Sequence, residues 1–129
     1  MPTDERYQQL AVKVTMGMPS EIMPRLWKVI ATPEEAELLL ALPGGAGHAA
    51  EKLGLEKDRV QEMLDVLFRK GLVFKKETPE GTSYRMCRDL MQFHDASILW
   101  PEAPVEYLDL WQEFMETEWK AFSEIADKF

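Results

Sequence analysis

Few side chains in this sequence are suited to chemistry, and they are scattered. The single cysteine, Cys87, lies four residues before Met91 and seven before His94, with Asp95 adjacent. On a continuous helix these positions would share one face and offer thiolate, thioether and imidazole to a soft metal. A stable zinc site takes about four ligands at short characteristic spacings, and no second group completes the set. His48, the other histidine, falls in a different segment. The expectation is a half-buried thiol and a surface imidazole, with no metal site. Gly44-Gly45-Ala46-Gly47 has the glycine content of a phosphate-cradling loop. It lacks a following Lys-Ser or Lys-Thr and is preceded by a helical pattern instead of a strand, so it reads as a connector. No nucleophile sits in a recognisable elbow or beside a base. These features point away from an enzyme.

The other concentrated feature is aromatic. Residues from 104 to the end read as one helix, with Leu108, Trp111, Met115, Phe122, Ile125 and Phe129 at three- and four-residue steps. Tyr107, Leu110, Phe114 and Trp119 widen that stripe, and Glu106, Asp109, Glu113 and Glu116 fall outside it. A small domain has little core face to hide so many rings, and aromatic residues and Met are enriched at protein interfaces. Burying one such ring contributes about 2–3 kcal/mol. Trp111, Phe114, Met115, Trp119 and Phe122 are therefore the expected protein interface, serving a homodimer or a partner protein.

The elements that must position these groups follow from caps, breakers and periodicity. Residues 1–19 read as an N-terminal arm: Tyr7, Leu10 and Val14 make a short apolar face, which Met16-Gly17-Met18-Pro19 ends. Ile22, Met23, Leu26, Trp27 and Ile30 then recur at helical spacing. Thr32-Pro33-Glu34-Glu35 combines an N-cap, a proline at the first helical position and a capping-box glutamate. Residues 36–42 continue that helix until Pro43-Gly44-Gly45 stops it. A helix over 46–53 closes at Gly54, suited to a left-handed C-terminal position. A longer one runs to about Lys70, capped by Glu56 or Asp58, with Val60, Leu64, Leu67 and Phe68 as its apolar stripe. Residues 72–77 and 82–86 read as strands joined by the turn Thr78-Pro79-Glu80-Gly81. A helix over 89–99 and a break at Trp100-Pro101-Glu102-Ala103-Pro104 lead into the last helix.

Helix, tight link, longer helix and β-hairpin in that order define a winged helix-turn-helix. The expected fold is mainly α with a small β-hairpin and additional C-terminal helices. The divisions are an arm over 1–19, the winged helix-turn-helix over 20–87 and a helical extension over 88–129.

Winged helices often read DNA with their second helix, but charge argues against that here. The chain of 129 residues carries a net charge of −8. Residues 102–129 account for −6 of it, with eight acidic residues against Lys120 and Lys128, and the rest is near neutral. Phosphate binding ordinarily calls for excess positive charge. The exposed side of the longer helix mixes Lys57, Arg59 and Arg69 with Glu56, Asp58, Glu62 and Asp65, and the chain has no Asn for reading adenine. A DNA-binding regulator is the alternative reading, with Lys57, Arg59, Lys75, Lys76 and Arg85 as its contacts. A lone cysteine, no apolar run of membrane-spanning length and no export signal lead to the expectation of a cytoplasmic protein without membrane contact.

Three stretches carry a further likeness. Thr32-Pro33-Glu34-Glu35-Ala36-Glu37-Leu38, Arg69-Lys70-Gly71-Leu72-Val73, and Arg88-Asp89-Leu90-Met91-Gln92-Phe93-His94-Asp95 followed by Trp100-Pro101 form a series. It resembles the N-terminal domain of prokaryotic ferredoxin-type iron–sulfur proteins, across most of residues 20–120. In that family a winged-helix-like segment precedes a domain binding [4Fe–4S] clusters. The resemblance implies a redox setting for the parent protein and a non-catalytic module here. A cluster takes about four Cys thiolates, and this chain has one. No cofactor is expected in this chain, and a [4Fe–4S] cluster only where a downstream Cys-containing domain exists.

Overall fold

Local capping chemistry sets most element boundaries. The computed structural model describes residues 4–126. Helix α1 (Glu5–Thr15) starts at Asp4, whose carboxylate accepts the Arg6 N–H, and ends at Met16 in the left-handed conformation. Helix α2 (Ile22–Ile30) follows, and α3 (Pro33–Ala41) opens on a complete capping box. There Glu35 N–H donates to Thr32 Oγ1 at 3.1 Å, and Thr32 N–H donates to Glu35 Oε1 at 2.9 Å. Helix α4 (Ala46–Leu53) closes on left-handed Gly54, and α5 (Lys57–Arg69) begins after Glu56, which makes no side-chain cap.

Strands β1 (Val73–Thr78) and β2 (Gly81–Met86) pair antiparallel, with Val73 opposite Met86 and Thr78 opposite Gly81. Gly44 adds a short third rung: its N–H donates to Tyr84 O at 3.0 Å, and Tyr84 N–H donates back to Gly44 O at 2.8 Å. The Gly44 connector thus ties the approach to α4 onto the hairpin. Gln61 Nε2 donates to the Tyr84 hydroxyl at 2.8 Å and fastens α5 to the same strand.

Helix α6 (Leu90–Ser97) is N-capped by Asp89, which accepts the Gln92 N–H at 2.9 Å. Helices α7 (Val105–Thr117) and α8 (Trp119–Ala126) complete the chain. It is thus mainly helical, with a two-stranded antiparallel hairpin and C-terminal helices. None of the described helices is long and apolar enough to cross a membrane.

Two elements differ from the sequence expectation. The first segment is a core helix, not an arm. Tyr7, Leu10, Ala11 and Val14 are buried, α1 packs on α2 and α3, and the Tyr7 hydroxyl donates to Ala31 O at 2.7 Å. The last helix is two, interrupted at Glu118, whose carboxylate accepts the Ile22 N–H at 3.2 Å across the molecule. Phe129 and the side chain of Ile125 lie outside the described residues. One continuous apolar cluster runs from Tyr7 to Phe122, so the three sequence segments share a single core.

Candidate functional site

The aromatic side chains of the C-terminal segment are spent on folding. Trp27 of α2 stacks on Phe93 of α6 with centroids 4.1 Å apart and planes 3° from parallel. Phe93 meets the edge of Trp111 at 5.3 Å, Trp111 meets Phe114 at 5.6 Å, and Phe114 meets Phe122 at 5.4 Å. Tyr107, Trp111, Phe114 and Phe122 are all buried. Ser97 Oγ donates to Phe93 O and lies 2.6 Å from the Tyr107 hydroxyl, and burial raises the Tyr107 pKa.

This corrects the expected interface. Trp111, Phe114 and Phe122 face inward because α7 packs on α2, Trp111 meets Phe93 of α6, and Phe114 meets Phe122 of α8. Their burial of about 2–3 kcal/mol apiece belongs to the fold. Trp119 is half-buried against Phe114, and only Met115 of the five stands exposed.

The surface of α7 is organised differently from its buried face. Val105, Leu108 and Met115 are 72%, 44% and 43% exposed, and with Gln112 they follow a three-four-three spacing along one line of the helix. Glu106, Asp109, Glu113 and Glu116 repeat that spacing one residue later, and all four are exposed. The helix therefore carries three parallel stripes: aromatic inward, aliphatic outward and acidic beside it. None of those four carboxylates has an ion-pair partner among the described residues. Like charges three or four residues apart on a helix each destabilise it by a few tenths, ~0.2–0.5 kcal/mol.

The basic residues considered for DNA are distributed and largely occupied. Lys57 and Arg59 project from the start of α5, where Arg59 pairs with Glu34. Lys75 lies over the Phe68 ring at 4.3 Å. Arg85 lies over Phe74 at 4.8 Å and donates to Gln92 Oε1 at 3.0 Å. Lys76 is exposed on β1. Phe68, expected in the core, is 43% exposed, since Val60, Leu64 and Leu67 already fill the inner face of α5. Glu56, Asp58, Glu62 and Asp65 share the exposed side of that helix.

No protein-family model matches this chain, and no curated protein matches it significantly. Its own residues must therefore carry the reading.

The candidate metal ligands do not converge. Cys87 precedes α6 instead of lying on it, so the spacing to His94 is not a helical one. Burial pushes the Cys87 thiol up to about 12. His94 Nδ1 lies 2.8 Å from Asp95 Oδ1, and its ring meets the edge of Trp111 at 4.8 Å. No cluster of His, Cys, Asp and Glu among the described residues is arranged for a metal ion. A [4Fe–4S] cluster takes about four thiolates, and one buried, protonated thiol does not fit it.

One polar node escaped the sequence reading. Lys70 Nζ donates to Glu35 Oε1 at 3.0 Å and to Ile30 O at 2.7 Å, and lies 5.3 Å from the Trp100 ring centroid. It binds the end of α5, the cap of α3 and the end of α2 at one point. The capping box was visible in sequence, but its second customer was 35 residues away.

Proposed function

We propose that this chain is a non-catalytic winged-helix module that docks another protein through the outer face of α7, within a ferredoxin-type iron–sulfur protein. The observation that carries the docking role is the exposed Val105, Leu108 and Met115 stripe beside four exposed carboxylates that form no ion pair among the described residues. An apolar line bordered by one sign of charge suits an amphipathic segment with Leu-like anchors and a Lys- or Arg-rich edge. Pairing with a second copy would place acidic rows near one another, so a basic partner is favoured over a homodimer. The winged-helix assignment is supported by the order α3, Gly44 rung, α4, α5, hairpin. The iron–sulfur setting is supported by the sequence likeness, whose three stretches coincide with the α3 cap, the α5–β1 junction and the start of α6.

The test is calorimetric titration with a designed helical peptide carrying Leu at three-four spacing and Lys beside it. Leu108→Ser plus Met115→Ser should abolish binding while leaving the melting temperature nearly unchanged. By contrast, Phe114→Ala should cost about 3–5 kcal/mol of stability. Equal binding by the double variant would remove the α7 face from consideration.

The DNA reading has less support. Its reading helix exposes four carboxylates, and Arg59, Lys75 and Arg85 already hold partners within the chain. Salt-sensitive binding to duplex DNA, reduced by Lys76→Gln, would reverse that preference.

A further inference from the structure

We propose that the cleft between the end of α1, the segment after α3 and the β2–α6 junction binds a small organic anion with a compact apolar body. The cleft has a volume of about 280 Å³ and is open to solvent, near the lower end of the ~300–1,000 Å³ typical of small-molecule pockets. Lys13 and Arg88 line it beside Arg85, whose guanidinium is taken up by Phe74 and Gln92; Leu42, Met86 and Cys87 form an apolar wall, and no carboxylate is among the lining residues. Two available cations and no carboxylate on one cleft run against the composition of a chain with net charge −8. That concentration is the informative feature.

The arginines are arranged by a shared acceptor. Gln92 Oε1 takes the Arg88 backbone N–H at 2.7 Å and Arg85 Nη1 at 3.0 Å, which fixes the strand end that presents both residues. Arg88 is held only loosely beyond that: its Nε is 3.6 Å from Asp89 Oδ2, and its side chain is 73% exposed. Asp89 is also committed through Oδ1 to capping α6. Lys13 has no ion-pair partner among the described residues. The Arg88 guanidinium fork and the Lys13 ammonium are the groups that recognise carboxylate and phosphate oxygens, while Leu42 and Met86 accept the apolar part. Cys87 supplies a neutral wall and no nucleophile, because its thiol stays protonated at ordinary pH. The ligand is held there, not transformed.

The experiment is an amide-resolved NMR titration of the whole chain with phenyl phosphate and, separately, benzoate. Saturable shifts at Lys13, Cys87 and Arg88 are expected, with a dissociation constant of about 1 mM or tighter. The phosphate arm exceeding the carboxylate arm assigns a phosphate ester, and the reverse assigns a carboxylate. Inorganic phosphate and benzyl alcohol, which divide the two halves of the ligand, should each bind at least about tenfold more weakly. Lys13→Gln and Arg88→Gln, both at exposed positions, should each weaken binding by about tenfold at an unchanged melting temperature. The proposal is overturned by no saturable shift up to ~20 mM, by benzyl alcohol binding equally well, or by indifference to both substitutions. The α7 stripe takes no part in this cleft, so neither result decides the other.

Discussion

Replacing Gly71 with Ala isolates how tightly α6 is docked on the body of the protein. Gly71 has φ +79°, and a Cβ built there would lie 2.5 Å from Ala96 O and 2.6 Å from Ala96 C. Two penalties combine. A non-glycine residue in the left-handed region costs about 1–2 kcal/mol. Forcing an extra carbon against packed atoms adds typically about 1–3 kcal/mol, and here the obstacle is backbone, which cannot rotate away as a side chain would. The expected total is about 2–5 kcal/mol. Gly54 provides the control, because it has φ +67° but nothing within 4 Å of its Cβ position. Gly54→Ala should cost only the conformational part, about 1–2 kcal/mol. Urea melts of the two variants, read at constant m, give the difference directly. A Gly71→Ala midpoint no lower than that of Gly54→Ala would refute the close approach of α6 to the α5–β1 turn.

Two further outcomes test the interior. Lys70→Met leaves the Glu35 carboxylate and Ile30 carbonyl without their shared donor at a site where both charged side chains are no more than 13% exposed. A loss of about 2–4 kcal/mol is expected by chemical denaturation, and Glu35→Gln should cost less because its amide oxygen still serves the capping box. Raising the pH should also destabilise the fold. Cys87 is pushed by burial from its ordinary 9.0 up to about 12, so between those values the unfolded chain has released a proton that the folded chain keeps. Stability then falls by about 1.4 kcal/mol per pH unit from this group. The buried Tyr7 and Tyr107 hydroxyls shift in the same direction for the same reason. Cys87→Ala should flatten the decline in alkaline thermal melts.

Local signals in the sequence described local structure well. Thr32-Pro33-Glu34-Glu35 produced a full capping box, Gly54 took its left-handed place, and residues 72–86 formed the hairpin. Signals that depend on distant partners were not legible. Tyr7, Leu10 and Val14 were recognisable as a face, but the Ala31 carbonyl that receives the Tyr7 hydroxyl is remote in sequence. Glu118 carries no helix-breaking property, and its interruption coincides with a contact to Ile22 96 residues away. The stripes of α7 overlap in sequence for a related reason. Tyr107, Trp111 and Phe114 share their three- and four-residue rhythm with Leu108 and Met115, and periodicity alone does not say which line meets a neighbour. Separating the two lines by angle would have distinguished an aromatic face from an aliphatic one. Assigning either inward required the positions of α2 and α6.

Helix α2 is nine residues long, yet both α1 and α7 pack on it. It acts as a common abutment. A load applied to the outside of α7 is therefore transmitted to α1 through α2, without passing along the intervening backbone. Helices α1 and α7, far apart in sequence, are mechanically neighbours, and whatever steadies one of them steadies the other.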